Sequence, residues 1–310
     1  MKNNLQLVNF QTPDSLTLPG LLYEPEKKTD KVLIYLHGNG SASIFYSPET
    51  MKLCGEYLNK IGVAFFPFNN RGAHWIKKLK KKVGDKEEGI PYGMTYELIN
   101  ECIYDIDGAV DFLRDIGYKT FYLAGVSTGA NKIVVYNYYK SQAKEKNLIS
   151  KYILISGGDD VSVYLNFYFK SDKKIFAEML NKCKEEIQKG QGRSFVPQNI
   201  IADPLISYQS LYDTINPDGN YNIFPFDDYL HNLRLGNKRL FKEFKTLEKQ
   251  TLMIYGGSDE YSPALVSDCV NVLKKECSHP GLFTFKIING ADHGFTGKEK
   301  ELVEIISKWL

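Results

Sequence analysis

A single serine stands between two glycines in the segment GVSTG, residues 125–129. An apolar run favourable to a strand (121–124) comes before it, and a helix-permissive segment begins at Ala130. A tight strand–turn–helix of this kind needs small residues two positions on either side of the serine, and it exposes the hydroxyl at the sheet edge. The first amides of the helix, that of Thr128 foremost, then point at whatever the hydroxyl attacks. The segment therefore predicts a nucleophile at Ser127.

A serine hydroxyl is a weak nucleophile at neutral pH and needs a base within hydrogen-bond reach. His293, in ADHGF, follows the last predicted buried strand, so it lies at the same carboxyl edge of the sheet as Ser127. His74 and His231 lie in irregular segments, and His279 lies before the final strand. His37 lies in a loop whose neighbours suggest another role. By elimination, His293 is the predicted base.

The base needs a carboxylate that orients it. Asp259 follows the predicted strand 251–257, in GGSDE, again at the carboxyl edge. Glu260 would serve as the acid if the loop turned differently, and Asp159 or Asp160 would serve if the acid followed the preceding strand. We expect Asp259 to be the acid.

Acyl transfer to a serine also develops negative charge on the carbonyl oxygen, which two backbone amides can stabilise. The segment HGNG, residues 37–40, places a glycine-permitted turn directly after a buried strand. The amides of Asn39 and Thr128 are the predicted pair of donors. Alone, HGNG would be an ordinary strand exit, but its order with Ser127, Asp259 and His293 favours an oxyanion hole.

Strands that alternate with helices must position these residues. Buried apolar runs are predicted at 31–40, 63–70, 121–124, 152–158, 251–257 and 282–290, after an antiparallel hairpin near 5–10 and 16–23. This alternation predicts a mostly parallel sheet with right-handed crossovers. Residues 71–93, with the lysine run KKLKKK, are expected to form a solvated loop. Acidic residues of a helix predicted at 95–116 are expected to face solvent: Glu97, Glu101, Asp105 and Asp111.

Composition excludes several classes of function. Thirty-nine basic and 37 acidic residues leave a net charge of +2, which is no signature of nucleic-acid binding. We expect no signal peptide, because the first 15 residues are polar and lack an unbroken apolar core, and no membrane span, because no later apolar run approaches about 20 residues. A cytoplasmic protein is therefore expected. The five cysteines form no metal-ligand cluster and are expected to be reduced core thiols. Neither phosphate-binding glycine motif, G-x-x-x-x-G-K-[ST] or G-x-G-x-x-G, is present.

The order HGNG, NNRG (69–72), GVSTG, GGSDE and ADHGF resembles the α/β-hydrolase superfamily across nearly the whole chain. The resemblance implies a doubly wound, mostly parallel sheet of about eight strands, formed by residues 1–158 and 251–310, with a cap at 159–250 between strands six and seven. It also implies serine hydrolysis by Ser127, Asp259 and His293, most often of carboxylic esters, with no metal or organic cofactor. Thr128 departs from the Met, Gln or Leu often found after the nucleophile.

Residues 159–250 are rich in aromatic side chains, which predict either an apolar substrate pocket or the cap's own core. The partner expected from these features is a small-molecule ester. A peptidase, or a thioesterase or acyltransferase, could use the same triad. A binding protein without turnover is the alternative from another class, although it would not need all three side chains. The oligomeric state cannot be read from the chain.

Overall fold

The computed structural model describes residues 4–39, 42–201 and 205–310. Within these ranges the strands are β1 (Asn4–Gln11), β2 (Thr17–Glu24), β3 (Lys31–Leu36), β4 (Ala64–Phe68), β5 (Lys77–Val83), β6 (Lys86–Tyr92), β7 (Thr120–Val126), β8 (Ile149–Ile155), β9 (Gln250–Gly256) and β10 (Phe283–Ile288). The α-helices are α1 (Pro48–Lys60), α2 (Cys102–Asp115), α3 (Thr128–Gln142), α4 (Asp160–Val163), α5 (Lys173–Gln188), α6 (Tyr208–Ile215), α7 (Phe226–His231), α8 (Val266–Glu276) and α9 (Glu299–Trp309).

Eight of the described strands form one sheet in the order β1-β2-β4-β3-β7-β8-β9-β10. β1 and β2 pair in antiparallel fashion, β2 also lies antiparallel to β4, and the remaining pairs are parallel. The central strands are continuously apolar because helices cover both of their faces. This sheet confirms the predicted α/β fold and places the carboxyl ends of β3, β7, β8, β9 and β10 along one edge.

Two apolar layers enclose the sheet. On one face α1 and α9 pack together over β3, β4 and β7, through side chains such as Met51, Leu58 and Val303. On the other face α2, α3 and α8 contribute residues such as Ile106, Ile133 and Leu273. All five cysteines are buried and free, as expected.

Residues between β8 and β9 form α4 to α7 and divide their aromatic side chains between two cores. Tyr164, Phe169 and Phe176 belong to a separate apolar cluster. Phe224 and Phe244, by contrast, pack into the main core beside α3 and β10. The later part of this segment is therefore continuous with the sheet domain.

The lysine run forms a strand, contrary to the prediction of an irregular loop. β5 and β6 pair as an antiparallel hairpin in which Leu79 lies opposite Ile90 and is buried. Alternate lysines point to solvent, where Lys80 lies 3.2 Å from Glu87. The prediction failed because one buried leucine and cross-strand charge pairs suffice to hold a two-stranded ribbon against the main domain.

Two of the acidic side chains expected to face solvent are buried instead. α2 begins at Cys102, so Glu97 lies before it and forms a buried ion pair with Lys132. Asp105, 1% exposed, accepts hydrogen bonds from the main-chain N–H and the guanidinium of Arg71. Buried carboxylates persist only when paired in this way. Among the described residues, no helix combines the length and apolarity needed to cross a bilayer.

Candidate active site

Ser127 occupies a strained backbone position between β7 and α3. Its φ of +55° and ψ of −129° lie in a region that side-chain-bearing residues rarely adopt. A Cβ on Gly125 would lie 2.3 Å from the carbonyl oxygen of Gly129, and one on Gly129 would lie 2.6 Å from that of Leu36. The expected need for glycine on both sides of the serine is confirmed, because the turn packs its backbone directly on the helix and on the end of β3.

Replacing Gly125 with alanine is expected to lower the free energy of unfolding by about 1–3 kcal/mol, the usual cost of forcing atoms into a filled space. Gly281→Ala is the matched control, since a Cβ there meets nothing within 4 Å. Urea denaturation of the two variants measures the difference. Equal stability of both variants would show that the turn accommodates a Cβ at position 125 and would contradict the prediction.

His293 and Asp259 lie in loops that follow β10 and β9, and the structure brings them into contact. The His293 ring Nδ1 lies 2.9 Å from each carboxylate oxygen of Asp259. Both side chains are largely buried, with 16% of the imidazole and 6% of the carboxylate exposed. A carboxylate on Nδ1 fixes the tautomer in which Nε2 is free to accept a proton.

The three alternative carboxylates make other contacts. Glu260 accepts a hydrogen bond from the main-chain N–H of His293, at 2.9 Å, and so holds the loop rather than the ring. Asp159 accepts from the amides of Ser162 and Asp227. Asp160 accepts from side chains that follow Ser127 on α3: Asn131, at 2.8 Å, and Thr128, at 3.5 Å.

Ser127, His293, Asn39 and Thr128 line one open cleft of about 510 Å³. Within the described residues the Ser127 hydroxyl makes no hydrogen bond, to His293 or to any other group. Aromatic side chains from three separate segments surround the same space: Trp75, Tyr164 with Tyr168, and Tyr261. Gly40, the last residue of HGNG, lies outside the described residues.

His293 and Asp160 both line the cleft with Ser127, and the pKa of each is raised. Burial lowers the pKa of His293, but the hydrogen bond and negative charge of Asp259 outweigh it, and the net pKa is raised above 6.5. Burial, together with the negative charge of Asp159, raises the pKa of Asp160 to about 7. Asp160 thus has a carboxyl group in the cleft that changes charge near neutrality.

His37 lies near the nucleophile but shapes the loop instead of acting as a base. Its Nε2 accepts the main-chain N–H of Asn70, so Nδ1 must carry the proton and donate it to the carbonyl of Gly38, at 2.7 Å. Burial is the main cause that lowers its pKa to about 3, which keeps the ring neutral. Gly38 is in turn forced against the site, because a Cβ there would lie 3.0 Å from the Cβ of Ser127.

The role of NNRG is one that sequence reasoning missed. The side-chain oxygen of Asn69 accepts hydrogen bonds from the Ser43 hydroxyl and the Ile44 amide, and so fixes the chain after HGNG. Arg71 is 1% exposed and pairs with Asp14 and Asp105. Two asparagines and an arginine directly after a buried strand were the available signal for a buried polar network.

Residues 93–310 match a family model described as a protein of unknown function, DUF1749. The chain belongs to the DUF1749 family. No curated protein sequence matches it.

Solved structures show that this DUF1749 member has the α/β-hydrolase fold. Est1E from Butyrivibrio proteoclasticus, with ferulic acid bound, is 16% identical at a TM-score of 0.58, over 97% of this chain and 96% of that one. The α/β hydrolase GrgF from Penicillium sp. sh18 is 14% identical at a TM-score of 0.60, over 98% of this chain and 96% of that one. The Pyrococcus furiosus esterase Pf2001 is 17% identical at a TM-score of 0.54, over 99% of this chain and 92% of that one.

Proposed function

We propose that this protein is a serine hydrolase, specifically a carboxylesterase that cleaves a small or medium ester with an apolar or aromatic portion. The observation that carries the proposal is the hydrogen-bonded pair of His293 and Asp259 in a cleft that the strained Ser127 also lines. Strain of this kind at a nucleophilic turn persists only where the surrounding fold holds it. Pf2001, which shares the fold, is an esterase by name, and Est1E, which also shares it, has been solved with ferulic acid bound.

The mechanism forms and cleaves an acyl-serine. His293 Nε2 takes the hydroxyl proton as Ser127 Oγ attacks the ester carbonyl carbon. The π electron pair of the C=O bond then moves onto the carbonyl oxygen. The amides of Asn39 and Thr128 stabilise that oxyanion. In other enzymes, removal of one such donor raises the activation free energy by about 2.7–4 kcal/mol. The carbonyl then re-forms, the C–O bond to the alcohol breaks, and His293 gives its proton to the alcohol. Water, deprotonated by His293, releases the acid and restores Ser127.

Activity should fall as pH drops below neutrality, because only the neutral imidazole can take the serine proton. The net pKa of His293 is raised, so the acid limb of kcat/KM is expected to have its midpoint above 6.5. In Asp259→Asn the residual activity should show a lower midpoint, since the carboxylate that favours the imidazolium is gone.

Asp160 could produce a limb in the same range, because its pKa is raised to about 7. Asp160→Asn separates the two groups. A midpoint that persists in this variant belongs to the imidazole, whereas a midpoint that disappears would assign the limb to Asp160 and contradict the pH argument.

Within the segment 159–250, the part that begins at α4 is proposed to act as a cap over the cleft, whereas Phe224 and Phe244 pack into the main core. Val163, Tyr164 and Tyr168 from this segment line the cleft together with Ser127. Tyr164 and Tyr168 stack with their ring centroids 4.8 Å apart, which gives a flat apolar wall suited to an aromatic group. The five buried free cysteines fit a reducing, cytoplasmic location.

A substrate panel tests the proposal. Purified protein and its Ser127→Ala variant are compared on p-nitrophenyl esters, acyl-CoA thioesters and aminoacyl amides. We expect Ser127-dependent turnover of the oxygen esters. Preferential turnover of amides or thioesters would replace the esterase with a peptidase or thioesterase, and no turnover of any class would favour a binding protein.

A further inference from the structure

A second cavity, of about 210 Å³, lies in the apolar core beside the aromatic cleft. It occupies the layer between the sheet and helices α1 and α9. Aliphatic and aromatic side chains from four strands and both helices form its wall, among them Leu33, Phe65, Met51, Leu58, Leu302 and Ile306.

This cavity is too large to be a packing defect. Protein interiors contain few voids larger than one water molecule, and an apolar void forfeits dispersion contacts along its whole lining. An apolar cavity of about 150 Å³ stays dry and takes up benzene. A cavity of about 210 Å³ with this lining therefore has the size and polarity of a binding pocket for an apolar group.

The lining carries no charge. Tyr35, His37 and Cys54 are the titratable side chains that border the cavity in the described part of the chain. Burial raises the pKa of Tyr35 and raises that of Cys54 to about 12, and it lowers that of His37 to about 3. All three are neutral at pH 7, and the hydroxyls of Ser43, Ser47 and Thr50 complete the polar part of the described lining, so the cavity favours a hydrocarbon over a charged group.

The cavity adjoins the catalytic cleft at the residues beside the proposed nucleophile and base. Gly38, Val126 and Gly294 line both spaces. Val126 directly precedes Ser127, and Gly294 directly follows His293. A side chain at position 38 would begin 3.5 Å from the Ser127 hydroxyl, so the glycine leaves the boundary between the two spaces clear.

We propose that this cavity is the acyl pocket, which receives an aliphatic chain of about six to eight carbons, scaled from benzene in the ~150 Å³ cavity. The proposal rests on the proposed esterase function and deepens it. The ester carbonyl lies at Gly38, within reach of Ser127. The acyl chain enters the core between the sheet and α1, and the alcohol remains in the aromatic cleft.

A chain-length series tests the pocket through catalysis. For p-nitrophenyl esters from acetate to dodecanoate, kcat/KM should rise about fourfold per added methylene until the pocket is full, and then level off or fall. Ala124 lines the cavity on β7, and Ala124→Val should move the optimum to shorter chains while acetate turnover is retained. Cys54→Leu fills the same cavity from α1 and tests the same shift of the optimum if Ala124→Val fails to fold.

Ala109→Val is the matched control, since Ala109 is equally buried but lies on α2 in the other layer. It should leave the chain-length optimum unchanged. A flat series, or an optimum that both cavity variants leave in place, would overturn the acyl pocket.

Binding separates failure of the pocket from failure of the proposed function. Ser127→Ala protein is titrated by calorimetry with methyl octanoate and methyl butanoate, which need no turnover to bind. We expect octanoate to bind at least about tenfold more tightly, and Cys54→Leu to remove that preference. Equal affinities would overturn the pocket even in an active esterase, whereas a clear preference in a protein that cleaves no ester would support the pocket and reject only the chemistry.

Discussion

Replacing Ser127 with alanine is expected to lower kcat/KM for ester hydrolysis by at least about 10⁴-fold, and by as much as about 10⁶-fold. The reason is that the hydroxyl supplies the atom that bonds to the acyl carbon, and no other side chain in the described cleft stands at a nucleophile elbow. Initial rates on the best p-nitrophenyl ester of the panel measure the loss.

The same substitution should leave the fold intact, because the Ser127 hydroxyl makes no hydrogen bond within the described residues. Alanine keeps the strained φ of +55°, so the melting temperature should change little. Ser127→Gly is the matched comparison. It should be equally inactive yet more stable, by about 1 kcal/mol or more, because glycine adopts positive φ without strain. Activity retained by either variant would remove Ser127 from the mechanism.

Asp259→Asn is expected to lower kcat/KM by about 10⁴-fold, the effect seen when an amide replaces the carboxylate of a serine protease triad. An amide can present its N–H to Nδ1, which favours the tautomer that carries its proton on Nε2. That tautomer cannot accept the proton of Ser127. The measurement is kcat/KM at a pH well above the acid limb, where a shifted pKa does not contribute.

Glu260→Gln is the control for Asp259→Asn. Glu260 is adjacent in sequence but bonds to the main-chain N–H of His293, and an amide oxygen can still accept that hydrogen bond. We expect less than about a tenfold loss, since the loop is held and the ring is untouched. The reverse ranking of the two variants would transfer the role of the acid from Asp259 to Glu260.

Much of the fold could be predicted from the sequence because the buried strands are continuous apolar runs between glycines. The run that ends at Gly125 and the run that ends at Gly257 each correspond to a central strand. Since parallel strands end at one edge, the order of residues along the chain also predicted that Asp259 and His293 would be neighbours, and they are 2.9 Å apart.

Other features depend on contacts between distant segments and could not be predicted. Glu97 and Asp105 are polar by type, and only their pairing with Lys132 and Arg71 explains their burial. The hairpin of β5 and β6 is likewise decided by one leucine that reaches the main domain. Composition predicted neither the cavity beside the cleft nor the raised pKa of Asp160, because both arise from the way α1, α4 and α9 pack at the sheet edge.

Intact-protein mass spectrometry after treatment with a fluorophosphonate tests the central claim most directly. We predict one covalent adduct per chain, located on Ser127 by peptide mapping, and a labelling rate reduced by several orders of magnitude in His293→Ala. Absence of labelling at Ser127 in folded protein, or labelling that proceeds equally fast without His293, would contradict the account.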